Sequence, residues 1–179
     1  FILPPGESKG IVINLAEMRM YHYQADGRTV DTYPIGIGRE GWETPLVAGA
    51  TVVSVIKDPT WVPPPSIRAD HLAMGHRLPA VVPPGPDNPM GPWAVQLSTR
   101  GYYIHGTNKE LGIGMRVSAG CIRMYNNDVE EFARRVARGT TVRIVNSPVK
   151  VGWKQAELYV EVHEALEEQR DVHVPEADV

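Results

Sequence analysis

The chain has 179 residues, 42% of them apolar, and a net charge of −3 from 18 basic and 21 acidic side chains. That is enough sequence for one domain with its own core, and there is no basic excess of the kind that binds nucleic acid. No apolar run reaches the roughly 18 residues that a membrane-crossing helix needs, and Phe1 to Gly6 lacks the charged-then-apolar pattern of a signal peptide.

Ile11, Ile13 and Leu15 alternate with Val12 and Asn14, and Met18 to Tyr23 follows a tight Ala16-Glu17 connection, so the two predict a β-hairpin. Thr29 to Ile37 and Thr51 to Ile56 are further predicted strands, rich in β-branched residues. The stretch 58–92 is different, holding ten of the sixteen prolines. Proline removes ladder donors, so this stretch is excluded from central sheet. Trp61, Val62, Leu72, Met74, Leu78, Val81 and Val82 run through it, which predicts a long, packed, proline-stiffened loop.

Ala94 to Leu97 and Tyr102 to His105 predict two strands joined by a turn at Ser98 to Gly101. The spacing of Val129, Phe132, Ala133 and Val136 predicts a helix with Asn127 as N-cap, Glu130 completing a capping box, and Gly139 ending it. Thr141 to Val145 is another strand, and the tail adds a strand at Leu158 to Val162 and an acidic helical stretch at Glu164 to Arg170. The pattern is a mostly β domain with one packed helix and a long proline-rich loop.

Several strings are excluded as sites. Gly36-Ile-Gly38-Arg-Glu-Gly41 matches a dinucleotide fingerprint, but Pro45 breaks the helix that must follow. Gly101 to Gly106 has phosphate-loop glycine spacing without the lysine. The six histidines do not fall at metal-ligand spacing, so no metal is expected. Cys121 is the only cysteine, which excludes an intrachain disulfide.

The informative run is Ile104-His105-Gly106-Thr107 followed by Ser118-Ala119-Gly120-Cys121-Ile122-Arg123. His105 ends a predicted strand, and Gly120 permits a sharp turn before Cys121. A histidine beside a thiol stabilises the thiolate as an ion pair and shuttles protons to and from amines. The backbone amides of Gly120 and Cys121 are then free to hold an oxyanion. If residues 121–123 are extended, Cys121 and Arg123 share a face, and Arg123 can hold a substrate carboxylate. The alternative reading makes Cys121 a small core residue and Arg123 a surface charge.

These motifs resemble the YkuD-type L,D-transpeptidases of bacterial cell-wall synthesis, whose pattern is His-Gly-Thr followed by Ser-x-Gly-Cys-x-Arg. Residues 11–15, 34–45 and 59–64 resemble the Gram-negative periplasmic branch, the ErfK/YbiS-like proteins. The resemblance covers residues 9–147 as a β-sandwich-like catalytic domain, with 1–8 as a boundary segment and 148–179 as a tail. It implies that Cys121 attacks the bond between diaminopimelate and D-alanine in a peptidoglycan tetrapeptide stem, and that an amine resolves the thioester. His105 is implied as acid/base, oriented by the Gly106 carbonyl, with Arg123, Ser118, Thr107 and Trp61 on the substrate side. Trp61 serves equally well as core packing. No cofactor is implied, the setting is the periplasm, carbapenems acylate the cysteine, and a monomer is expected. The acceptor is either a second stem, giving a 3→3 cross-link, or the lysine of an outer-membrane lipoprotein. With water as acceptor the same site is an L,D-carboxypeptidase or amidase, and an inactive cell-wall binding module is the reading from outside enzymology.

Overall fold

The structure, a computed structural model, describes residues 1–166 and residue 168. Its strands are β1 (Ile11–Asn14), β2 (Arg19–Tyr23), β3 (Val30–Pro34), β4 (Ile37–Gly38), β5 (Val47–Lys57), β6 (Trp93–Leu97), β7 (Tyr103–His105), β8 (Arg116–Ser118), β9 (Ile122–Arg123), β10 (Thr141–Val145), β11 (Val149–Lys154) and β12 (Glu157–Val162). The helices are α1 (Pro65–Ala73) and α2 (Asn126–Arg135). Eight strands form one sheet in the order β3-β2-β1-β10-β5-β6-β7-β9, while β4 pairs with β8 and β11 with β12. The domain is mostly β, as expected.

The predicted hairpin is β1 and β2, with Ile11 opposite His22 and Asn14 opposite Arg19. The predicted strand at 29–37 divides after Pro34, where pairing with β2 ends; Gly36 crosses to bridge Arg123 of β9, and β4 then runs parallel with β8. Ile11, Ile13, Leu15, Ile104, Ile122, Met124, Phe132 and Ile144 fill the core beneath the sheet. Phe132 of α2 meets the rings of His22 and Tyr33 edge-on at 5.3 and 6.1 Å. The stripe predicted for α2 is buried at Val129, Phe132 and Ala133.

Four expectations need correction. Asn127 does not cap α2: Tyr125 occupies that position without a side-chain bond, and the Asn126 N–H donates instead to Glu110 Oε1 at 2.9 Å. The helix also ends at Arg135, before Gly139. The proline-rich stretch is not wholly loop, since α1 lies inside it with Pro65 in its first turn, where a missing N–H costs nothing. None of the α1 side chains is buried, so no apolar stripe announced it. The tail holds two strands where one was expected. The helical stretch expected at Glu164 to Arg170 lies mostly outside the described residues.

The β11–β12 hairpin is docked through a buried ion pair. The Lys150 ammonium, with no side-chain exposure, sits 2.8 Å from a Glu17 carboxylate that is 1% exposed. It also donates to the Ile2 carbonyl at 2.6 Å and to the Tyr21 hydroxyl at 3.0 Å. Each proton of the ammonium thus has a partner, which is what makes a buried charge tolerable.

Candidate active site

Strand pairing assembles the site. The turn after β6 closes with the Tyr102 N–H on the Thr99 carbonyl at 3.1 Å, returning the chain as β7. β7 then runs parallel to β9, with Ile104 opposite Ile122 and His105 opposite Arg123. Ile104 and Ile122 are wholly buried in the core. Side chains alternate along a strand, so Tyr103, His105, Cys121 and Arg123 occupy the other face. That face lines a cavity of about 690 Å³, walled opposite by Trp61, Pro64 and Ile67. Cys121 comes sixteen residues after His105, and a two-residue parallel ladder brings them together.

The His105 ring is fixed by its own neighbour. Nδ1 lies 2.6 Å from the Gly106 carbonyl, and a carbonyl only accepts, so Nδ1 carries the proton and Nε2 keeps its lone pair. Gly106 is required there: a Cβ would collide with Asn126 Oδ1 and come within 2.9 Å of Pro92. Asn126 was not foreseen as a site residue. Its side chain accepts from the Thr107 N–H and donates to the Thr107 carbonyl, both at 2.9 Å, and so clamps the chain just after His105.

A second clamp shapes the nucleophile turn. Ser118 Oγ donates to the Cys121 carbonyl at 2.5 Å and accepts from the Gly120 N–H at 3.1 Å. Thr44 Oγ1 donates to the Gly120 carbonyl at 2.9 Å and accepts from the Gly38 N–H at 2.9 Å. Gly120 has φ +99°, and a Cβ there would meet the Tyr102 ring at 3.0 Å and the Glu43 carbonyl at 3.3 Å, so glycine is needed both for conformation and for space. Thr44 lies inside the 34–45 block singled out in the sequence, although no role for it could be read there.

The expected site residues therefore separate into two groups. Cys121, His105, Arg123, Ser118 and Trp61 line the cavity. Ser118 is fully buried with its hydroxyl engaged, so it positions the turn and offers substrate no free hydroxyl. The Gly120 amide is likewise taken by Ser118, which leaves the Cys121 amide as the expected oxyanion donor. Thr107 is 1% exposed and lines a separate cavity of about 260 Å³ near Asn88 and Pro92, because its backbone is held away by Asn126. Trp61 is half-buried outside the core cluster, its backbone paired with Val82 at 2.9 and 2.8 Å. α1 is tied across the site by Arg39, which reaches Asp70 at 2.8 Å.

Electrostatics reverse one expectation. Burial pushes His105 down to about 4, helped by the Arg123 charge and opposed by the Gly106 hydrogen bond. Burial pushes the Cys121 thiol up, against a backbone hydrogen bond at Tyr103 and the Arg123 charge. Desolvation disfavours the charged form of each group, so both shifts run against the thiolate–imidazolium pair that the spacing suggests. The thiol donates to the Gly101 carbonyl at 3.7 Å. Arg123 Nε is buried without a hydrogen-bond partner among the described residues, and burial lowers its pKa.

Among the described residues, one group of possible metal ligands exists, Glu17, Glu161 and His163. It lies away from Cys121, and the Lys150 ammonium already sits 2.8 and 3.1 Å from its two carboxylates.

Residues 8–144 match the family model of the YkuD L,D-transpeptidase catalytic domain. Two Escherichia coli proteins are similar over nearly the whole chain. The probable L,D-transpeptidase ErfK/SrfK is 48% identical over 94% of this chain and 54% of its own length. The probable L,D-transpeptidase YcfS is 47% identical over 95% and 54%. The chain thus spans about half the length of these curated relatives. A solved L,D-transpeptidase from Enterococcus faecium shares the fold, with a TM-score of 0.56 and 20% identity over 78% of this chain and 50% of the other. The matched residues include the histidine and cysteine strands and both clamps, and the chain belongs to the YkuD L,D-transpeptidase family.

Proposed function

We propose that the protein is a peptidoglycan L,D-transpeptidase that uses Cys121 as nucleophile in the periplasm. The observation that carries this reading is the paired placement of Cys121 and His105 on one cavity wall, with Nδ1 committed to Gly106 and Nε2 left basic. Nε2 takes the thiol proton as Sγ attacks the carbonyl between the L-centre of diaminopimelate and D-alanine. The oxyanion forms beside the Cys121 amide. His105 passes its proton to the leaving D-alanine amine, and a thioester remains. An acceptor amine then attacks, His105 takes its proton, and the thiol recovers that proton as the new amide forms.

The acceptor is an amine: a second stem or the lysine of an outer-membrane lipoprotein. The test is mass spectrometry of a disaccharide-tetrapeptide incubated with the protein, with Cys121→Ala in parallel. A dimer lacking one D-alanine, absent with the variant, is the expected product. Tripeptide alone would mean that water reaches the thioester and would make the protein an L,D-carboxypeptidase. Unchanged tetrapeptide with both proteins would refute the transferase reading. Imipenem should add its mass to the wild type and leave Cys121→Ala unmodified.

A further inference from the structure

Two arginines, Arg100 and Arg123, are among the residues lining the cavity at Cys121, and no acidic residue is. This holds in a chain whose net charge is −3, so the local excess of positive charge runs against the composition. Neither arginine has a side-chain hydrogen bond or an ion pair to any described residue, whereas Arg39, Arg116, Arg134 and Arg135 each reach a carboxylate. Arg123 Nε is buried unpartnered. A buried donor without an acceptor is costly, and an incoming carboxylate removes that cost.

Arg100 approaches the nucleophile from the β6–β7 turn. The next residue, Gly101, offers the carbonyl that the Cys121 thiol contacts at 3.7 Å. The turn carrying Arg100 is held by the Tyr102 N–H on Thr99, by the Ser98 N–H on the Thr51 carbonyl at 2.8 Å, and by the Thr51 N–H on Ser98 Oγ at 3.0 Å. Its backbone is therefore fixed, while the side chain is exposed at the cavity rim. A scissile bond placed at Sγ has one cation two residues along β9 and another at the facing turn. The leaving amino acid carries its carboxylate one carbon from the scissile nitrogen, a short reach that suits buried Arg123. A carboxylate at the far end of a long side chain on the acyl residue suits the rim.

We propose that Arg100 is a specificity-determining residue that pairs with the side-chain carboxylate of the residue acylated on Cys121, selecting donors with diaminopimelate over donors with lysine at that position. This inference rests on the proposed donor, a peptidoglycan tetrapeptide. Arginine suits the task, because its planar fork binds a carboxylate through two hydrogen bonds at once.

The test measures calorimetric binding of two synthetic donors, L-Ala-γ-D-Glu-meso-diaminopimelate-D-Ala and its L-lysine counterpart, to the Cys121→Ala protein, which cannot consume them. Arg100→Gln is compared in the same background, with thermal melting to verify an unchanged fold. The expected result is about tenfold weaker binding of the diaminopimelate donor and no change for the lysine donor. Unchanged binding of the diaminopimelate donor, equal loss for both donors, or no binding of either donor by the parent protein would each overturn the inference. Release of D-alanine by the wild type is scored separately. Its absence alongside Arg100-dependent binding would refute the transferase and leave the carboxylate site standing.

Discussion

Acidification should destabilise the fold through His105, and the size of the effect follows from its burial. The residue is 5% exposed, and its pKa is pushed from 6.5 to about 4. In the unfolded chain the imidazole takes up a proton as pH falls through about 6.5, while the folded protein refuses it until about 4. Between those values the unfolded state binds more protons, so the stability contributed by neutral His105 is fully present above pH 6.5 and is lost as pH falls towards 4. The gap between the two pKa values corresponds to about 3 kcal/mol. Urea denaturation from pH 8 to pH 4 measures it, with His105→Asn as reference because asparagine stays neutral throughout. His22, also pushed down by burial, is present in both proteins and cancels in the difference. The stability difference between wild type and variant should move by about 3 kcal/mol in favour of the variant over this range. A difference that stays constant with pH would refute the argument that burial holds His105 neutral.

Cys121 should react slowly with iodoacetamide below pH 7, with a rate still rising above about pH 8.5, the ordinary thiol range, because burial raises its pKa; a rate already maximal below pH 7 would establish the ion pair instead. Lys150→Met should cost about 3–5 kcal/mol by removing the cation nearest the Glu17 carboxylate, which is 1% exposed and keeps only Arg19 Nε at 3.4 Å. Adding Glu17→Gln should recover much of that loss in urea denaturation, and a double variant no more stable than the single one would refute a stranded charge. Asn126→Leu removes both clamps on Thr107, so it should cost about 1–3 kcal/mol and lower kcat for D-alanine release, whereas unchanged kcat would separate the clamp from His105 positioning.

The legible parts of the fold were those where local chemistry and tertiary packing agree. Ile11 to Tyr23 reads as a hairpin because β-branched and aromatic residues concentrate in two strands whose centres are buried on both faces, and the α2 stripe is visible because that helix packs on the core. Residues 65–73 carry no such signal, since α1 buries none of its side chains and the run Pro63-Pro64-Pro65 reads as a breaker. Pro65 is nevertheless compatible with a first helical turn. β11 was missed although Val149, Val151 and Trp153 alternate, because Pro148 and Gly152 punctuate the segment. Asn127 was read as the cap because it lies three residues before Glu130, yet its neighbour Asn126 was drawn into the Thr107 clamp.

The order of residues suffices for a strand-ending histidine before glycine, a glycine-preceded cysteine and an arginine two residues on, and with them the family. Tertiary structure alone decided how those groups behave. The parallel register of β7 on β9 turns separate motifs into one cavity wall, and no local pattern encodes a pairing between segments so far apart. Burial then biases protonation: the same histidine that spacing makes a partner for a thiolate is pushed towards its neutral form by desolvation, and the amide that glycine was expected to free is consumed by Ser118. Proton positions and free donors depend on every atom packed around a group, and those atoms arrive from all parts of the chain.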